Sequence, residues 1–66
     1  MKIVVNGEGL NCPDGLTVLD LLEKLGLSPD ATLVERNAEM VQRSAYRTDV
    51  LAEGDSLELI KFVGGG

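Results

Sequence analysis

Apolar and polar positions alternate at both ends of the chain, and an apolar series with helical spacing lies between them. From Met1 to Asn6 the apolar residues at positions 1, 3 and 5 share one face, as in a half-buried strand. Asn6-Gly7 predicts a tight hairpin, because both residue types tolerate the positive φ that such turns need. A second short strand follows and ends at Pro13, which cannot donate to a ladder. The chain therefore opens as a β-hairpin.

The segment after Pro13-Asp14-Gly15 predicts the one long helix. Thr17 and Asp20 have the spacing of a capping box, and apolar residues recur at helical intervals at positions 18, 21, 22 and 25. Gly26 suits the left-handed residue that ends a helix, and Leu27 just beyond it would supply the apolar contact of such a cap.

The second half of the chain predicts further strands and a single helical turn. The strands are 32–36, 40–42 and 56–63, with a turn at 37–39 between the first two and a helical turn that Ser44 would cap. One helix against one face of a mixed sheet of four to five strands is an α+β architecture, which suits a chain this small.

Alternation along the last strand separates its side chains into two faces. Leu57 and Leu59 are predicted to face the core, with Lys61 at its margin, whereas Ile60 and Phe62 face outward. Two large apolar groups on a solvent face are typical of an interaction surface, so both are predicted to be docking anchors. The alternative is a β-bulge near Ile60 that would turn Phe62 into the core.

Composition and charge exclude several classes of function. The chain has 66 residues, with 11 acidic and 6 basic side chains and a formal charge of −5. Nucleic-acid binding is therefore not expected, whereas binding to partners with basic surfaces is expected. A single cysteine and no histidine leave neither a disulfide framework nor a zinc site. The short apolar runs predict no membrane span, and with no secretory signal pattern at its N-terminus the chain is expected in the cytoplasm.

Other candidate residues favour structural explanations. Cys12 could be a nucleophile, but no histidine can act as its base, so a core position is the better interpretation. Arg36 and Arg43 are interpreted as surface charges. Four acidic residues lack the spacing of a calcium loop and are interpreted as a solvated face: Asp49, Glu53, Asp55 and Glu58.

The sequence closes on Gly64, Gly65 and Gly66 directly after a predicted strand. Glycine is costly to order and adds no packing, so stability does not explain the run. Three extended residues reach about 10 Å, enough to thread a narrow channel in a partner. A frayed end is the alternative.

The chain as a whole resembles the thiamine-biosynthesis sulfur carrier family, which is related to ubiquitin. The stretches that carry the resemblance are Lys2-Ile3-Val4-Val5-Asn6-Gly7, Thr17-Val18-Leu19-Asp20-Leu21-Leu22, Val34-Glu35-Arg36-Asn37, Leu51-Ala52-Glu53-Gly54-Asp55-Ser56-Leu57-Glu58-Leu59 and, most specific of all, Phe62-Val63-Gly64-Gly65-Gly66.

The resemblance implies a β-grasp domain over 1–63 and a flexible tail over 64–66. It implies that the Gly66 carboxylate is adenylated and then becomes a thiocarboxylate, so that the chain carries sulfur and is not itself an enzyme. Its implied partners are an adenylating enzyme similar to ubiquitin-activating enzymes, a sulfur donor such as a cysteine desulfurase, and thiazole synthase. Mg-ATP would serve the adenylating enzyme, with no cofactor bound by this chain.

Three related interpretations stay open. The chain could resemble the small subunit of molybdopterin synthase, although those proteins are usually longer and richer in aromatic residues. It could serve a different sulfur pathway. It could also be a protein modifier, which would form an isopeptide with a lysine of its target.

Overall fold

The computed structural model describes residues 1–62, which form a five-stranded mixed sheet and one α-helix. The elements are β1 (Lys2–Val5), β2 (Glu8–Asn11), α1 (Val18–Lys24), β3 (Thr32–Arg36), β4 (Glu39–Met40) and β5 (Ser56–Lys61). The strand order is β2-β1-β5-β3-β4, in which β1 and β5 are parallel and the other neighbours are antiparallel. The predicted α+β architecture is confirmed.

Two hairpins use tight turns with left-handed residues. Asn6 and Gly7 have φ values of 50° and 84° between β1 and β2, as the sequence predicts. Asn37 and Ala38 have φ values of 52° and 71° between β3 and β4. Because two residues suffice for the second turn, β4 begins at Glu39 and ends at Met40, and the predicted bounds of 40–42 are wrong.

Both ends of α1 are capped as predicted. The Thr17 hydroxyl accepts from the Asp20 amide at 3.1 Å, and the Asp20 carboxylate accepts from the Thr17 amide at 3.0 Å. At the other end Gly26 has a φ of 72°, and the Leu27 amide donates to the Leu22 carbonyl at 2.8 Å. This is the Schellman arrangement, which satisfies carbonyls that the helix leaves unpaired.

The core lies between α1 and one face of the sheet. Its buried members come from β1, α1, β3, β5 and the connecting segments: Ile3, Cys12, Val18, Leu21, Leu22, Val34, Tyr46, Leu51 and Leu57. The Tyr46 hydroxyl is buried with this cluster and donates a hydrogen bond to the Thr32 carbonyl at 2.8 Å. Cys12 is among the buried residues, as its core interpretation predicts.

The segment between β4 and β5 contains a short 3₁₀ turn at Arg43–Ala45. The chain stays extended through Gln42, where φ is −70° and ψ is 141°, so Gln42 is the residue that precedes the turn and its side chain makes no capping bond. The prediction that Ser44 caps this turn is therefore wrong. Among residues 1–62 no helix is long and apolar enough to cross a membrane.

Candidate functional site

The end of β5 is fixed by a continuous ladder with β3. Five consecutive pairs run from Arg36 opposite Leu57 to Thr32 opposite Lys61, and the Phe62 amide donates to the Ala31 carbonyl at 3.1 Å. A bulge would place two residues of one strand opposite one of the other. Because the pairing is one to one throughout, the alternative that turns Phe62 into the core is wrong.

An apolar patch lies on the face of the sheet opposite α1. Ile60 and Phe62 are 43% and 38% exposed, as the alternation predicts, and Leu33 lies directly across from Ile60. Met40 is 56% exposed and pairs with Glu35, which shares its face with Leu33 because the two are two residues apart in β3. Leu33, Met40, Ile60 and Phe62 together are called the outer-face patch.

Two members of the outer-face patch were missed by the sequence reasoning. Leu33 and Met40 also line a shallow depression of about 270 Å³, beside Tyr46 and Arg43. The alternation of Leu33 with the buried Val34 could have indicated the first of these, whereas Met40 could be placed only once its partner in β3 was known.

Two carboxylates face each other beside the outer-face patch. Glu35 in β3 is directly opposite Glu58 in β5, so both side chains lie on the face that carries Ile60. Like charges directly across a sheet destabilise it slightly. A basic group of a partner that approached this face would relieve the repulsion.

A cluster of charged side chains stabilises the turn that leads into β5. The Arg36 guanidinium pairs with Asp49 and with Asp55, the latter at 2.9 Å. The Asp55 carboxylate also accepts from the Ala52 amide at 2.8 Å and from the Asn37 side chain at 3.0 Å. Asp55 is buried, so the solvated-face interpretation is wrong for it and for Asp49, and the surface-charge interpretation is wrong for Arg36.

Electrostatics in this cluster favour the charged forms. Burial by itself would raise the pKa of the Asp55 carboxyl, but hydrogen bonds from Ala52 and Asn37 and the charge of Arg36 outweigh it, so this pKa lies below its usual value. Burial likewise opposes the charge of Arg36, and its two aspartate partners raise its pKa above the usual value. Both shifts mean that folding favours the charged forms of Asp55 and Arg36.

The predicted reactive residue, Gly66, lies outside the described residues, as do Gly64 and Gly65. Within residues 1–62, the site that the structure does describe is therefore the surface from which that segment departs. It consists of the end of β5 and the outer-face patch beside it.

A mixed sheet in this order, with one helix against one face, is the β-grasp arrangement of ubiquitin-like proteins. The crystal structure of thiamine biosynthesis protein ThiS from Geobacter metallireducens matches the fold with a TM-score of 0.85, at 32% identity over 100% of both chains. The model of the ThiS family matches residues 3–66. The chain belongs to the ThiS family.

Two further relatives differ greatly in length. The sulfur carrier protein ThiS of Escherichia coli is 29% identical over 100% of both chains. A thiazole synthase of Paramagnetospirillum magneticum is 44% identical over 100% of this chain, which covers only 20% of that protein. The chain thus spans about a fifth of the length of this enzyme.

Proposed function

We propose that this protein is a sulfur carrier of thiamine biosynthesis that acts through the Gly66 carboxylate. The observation that carries the proposal is the match of the ThiS family to residues 3–66, which includes the three glycines. The sulfur carrier of Escherichia coli, which aligns along its whole length with this chain, supports the same function.

The chemistry requires activation of the carboxylate by a partner. A terminal carboxyl has a pKa of about 3.3 to 3.7, so at neutral pH Gly66 carries an anion that resists nucleophilic attack. An adenylating enzyme with Mg-ATP would join the carboxylate to AMP and release pyrophosphate. The persulfide of a donor, such as a cysteine desulfurase, would then attack the acyl adenylate, which releases AMP and leaves an acyl disulfide. A second thiol would cleave that disulfide, leaving the thiocarboxylate on Gly66 and a disulfide between the donor and the thiol. The thiocarboxylate would finally give its sulfur to thiazole synthase.

The outer-face patch is proposed as the docking surface, with Ile60 and Phe62 as its anchors. Only Val63 separates Phe62 from Gly64 in sequence, and Ile60 is two residues before Phe62, so a partner that covers both also comes close to the start of the tail. Large apolar groups in the middle of an interface contribute most of its binding energy. Glu35 and Glu58 add charge complementarity, which speeds encounter with a basic partner surface.

The modification of Gly66 can be tested by intact-mass measurement. Incubation with an adenylating enzyme, Mg-ATP, a persulfide sulfur donor and a reducing thiol should replace one oxygen with sulfur, and fragmentation should locate the change at Gly66. A variant that lacks Gly65 and Gly66 should not be thiolated, although it should fold normally because the buried core residues lie between Ile3 and Leu57. Thiolation of that variant at the native rate would contradict the proposal.

The docking role can be tested with Ile60→Ala, Phe62→Ala and the double variant. Val50→Ala is the matched control, because Val50 is an apolar side chain that is 51% exposed and lies outside the patch. At limiting adenylating enzyme the double variant should be thiolated at least about tenfold more slowly, as for the loss of two anchor side chains. Val50→Ala should react at the native rate.

Stability separates docking from packing in the same variants. Phe62 is 38% exposed, so its truncation should cost only about 1 to 2 kcal/mol, less than for a fully buried phenylalanine. A double variant that folds, is thiolated and is consumed at the native rate would rule out docking at Ile60 and Phe62.

A further inference from the structure

The second half of β5 has a neighbouring strand on one side only. On the β3 side the ladder continues to Thr32 opposite Lys61. On the β1 side the pairing ends at Val5 opposite Leu57, because β1 turns away into its hairpin. From Leu59 onward the main chain of β5 therefore faces no strand of residues 1–62 on this side.

The direction of each peptide group follows from the hydrogen bonds. The Asp55 and Leu57 carbonyls accept from the amides of Val4 and Asn6 at 2.9 and 2.8 Å, so odd-numbered residues of β5 point toward β1. The Phe62 amide donates to Ala31, so even-numbered residues point toward β3. The Leu59 carbonyl and the Lys61 amide and carbonyl come next in the first series, and these three groups are called the open edge.

The Asn6 side chain marks the beginning of the open edge. Its Oδ1 accepts from the Leu59 amide at 2.8 Å, in the position where a longer β1 would have placed a backbone carbonyl. Asn6 also lines a depression of about 260 Å³ together with Leu25, which is 40% exposed. The other lining residues are Val5, Glu8, Gly9 and Leu10. The open edge and a largely apolar depression thus adjoin at one residue.

We infer that an extended segment of thiazole synthase adds to the sheet along the open edge and places an apolar side chain in the adjoining depression. The inference rests on the proposed carrier function and describes how one partner would bind the end of β5. Its hydrogen bonds would continue the sheet next to β5, so the direction in which the chain leaves Phe62 would be fixed when the acceptor enzyme is bound.

The backbone groups of the open edge favour an extended strand as the partner segment. Alternating amide and carbonyl groups along an extended strand are matched by another extended backbone, and the side chains of an added strand gain specificity from pockets beside the edge. A stretch 44% identical to this chain occurs within a thiazole synthase of Paramagnetospirillum magneticum, which favours that class of enzyme as the source of the segment.

Amide hydrogen exchange, followed by NMR on the full chain, tests the inference. A purified thiazole synthase should slow exchange of the Lys61 amide by roughly tenfold or more, because a new hydrogen bond must open first. The internal control is the outer edge of β2, where the Cys12 amide bonds back to Met1 at 2.8 Å and the Asn11 amide therefore faces outward. Exchange of the Asn11 amide should not change.

Variants give a second, independent measurement. Lys61→Pro removes the outward amide without touching the β3 ladder, and proline is tolerated where a strand amide faces away from its neighbour. It should weaken synthase binding about fivefold relative to Lys61→Ala, as for the loss of one hydrogen bond. Asn11→Pro, the matched change on the β2 edge, should bind normally. If Lys61→Pro fails to fold, the exchange measurement alone decides.

The outcomes separate this inference from the carrier function. A complex that leaves Lys61 exchange unchanged, or that protects Asn11 instead, overturns the open edge as the binding site. A synthase that does not bind overturns it as well. In each case the thiolation assay on Gly66 still judges the carrier function by itself.

Discussion

Replacement of Asp55 by asparagine should destabilise the fold in a way that depends on pH. The carboxylate accepts hydrogen bonds from Ala52 and Asn37 and pairs with Arg36 at 2.9 Å, while its side chain is only 8% exposed. Asparagine has nearly the shape of aspartate but no charge, and its amide NH₂ group would face the hydrogen-bond donors that the carboxylate now accepts from. The change therefore removes the electrostatic contribution and leaves most of the packing.

The expected magnitude follows from the surroundings. Breaking a fully buried ion pair costs about 3 to 5 kcal/mol. Arg36 is 23% exposed and keeps Asp49 as a partner, so a loss of about 2 to 3 kcal/mol is expected. For a domain of this size that corresponds to a fall in Tm of roughly 10 to 20 °C.

The pH dependence has a definite sign. The pKa of Asp55 is lower in the folded protein than the value of about 3.9 in an unfolded chain. Its contribution to stability is therefore complete above the unfolded pKa and disappears as the pH falls through the folded pKa. The difference between native protein and Asp55→Asn should be largest at neutral pH and should shrink below about pH 4.

Urea unfolding followed by far-UV circular dichroism measures both effects. Glu58→Gln is the control, since Glu58 is an exposed carboxylate in β5, the strand that follows Asp55, and lies opposite Glu35, so its neutralisation should cost nothing. If Asp55→Asn unfolds at the same urea concentration as Glu58→Gln at neutral pH, or if its deficit is the same at pH 3 as at pH 7, the ion-pair reasoning is refuted.

Two further changes should have opposite effects on stability. Ala38→Gly should stabilise the protein by about 0.5 to 1 kcal/mol, because Ala38 has a φ of 71° that glycine adopts without strain; a lower Tm would contradict this. Cys12→Ala should cost about 1 kcal/mol, as for one buried methyl group, and leave thiolation of Gly66 unchanged. Loss of thiolation in a folded Cys12→Ala protein would instead favour the nucleophile hypothesis.

Features that depend on a few neighbouring residues were predictable from the sequence. The Asn6-Gly7 turn, the Thr17 and Asp20 capping box and the Gly26 helix end are each set by local backbone preference and short-range hydrogen bonds. The exposure of Ile60 and Phe62 was also predictable, since alternation along a strand needs only one buried neighbour to fix its phase. The tail residues were singled out by the resemblance and by their glycine content.

Only the tertiary structure decided which distant residues meet. Arg36, Asp49 and Asp55 read as separate surface charges, and the return of the chain beside β3 makes them one ionic cluster. Met40 joined the outer-face patch through its pairing with β3, and the open edge exists because β1 ends before β5 does. Local pattern determines the face that a residue occupies, whereas its partner there depends on strand order and register, which are set by packing of the whole chain.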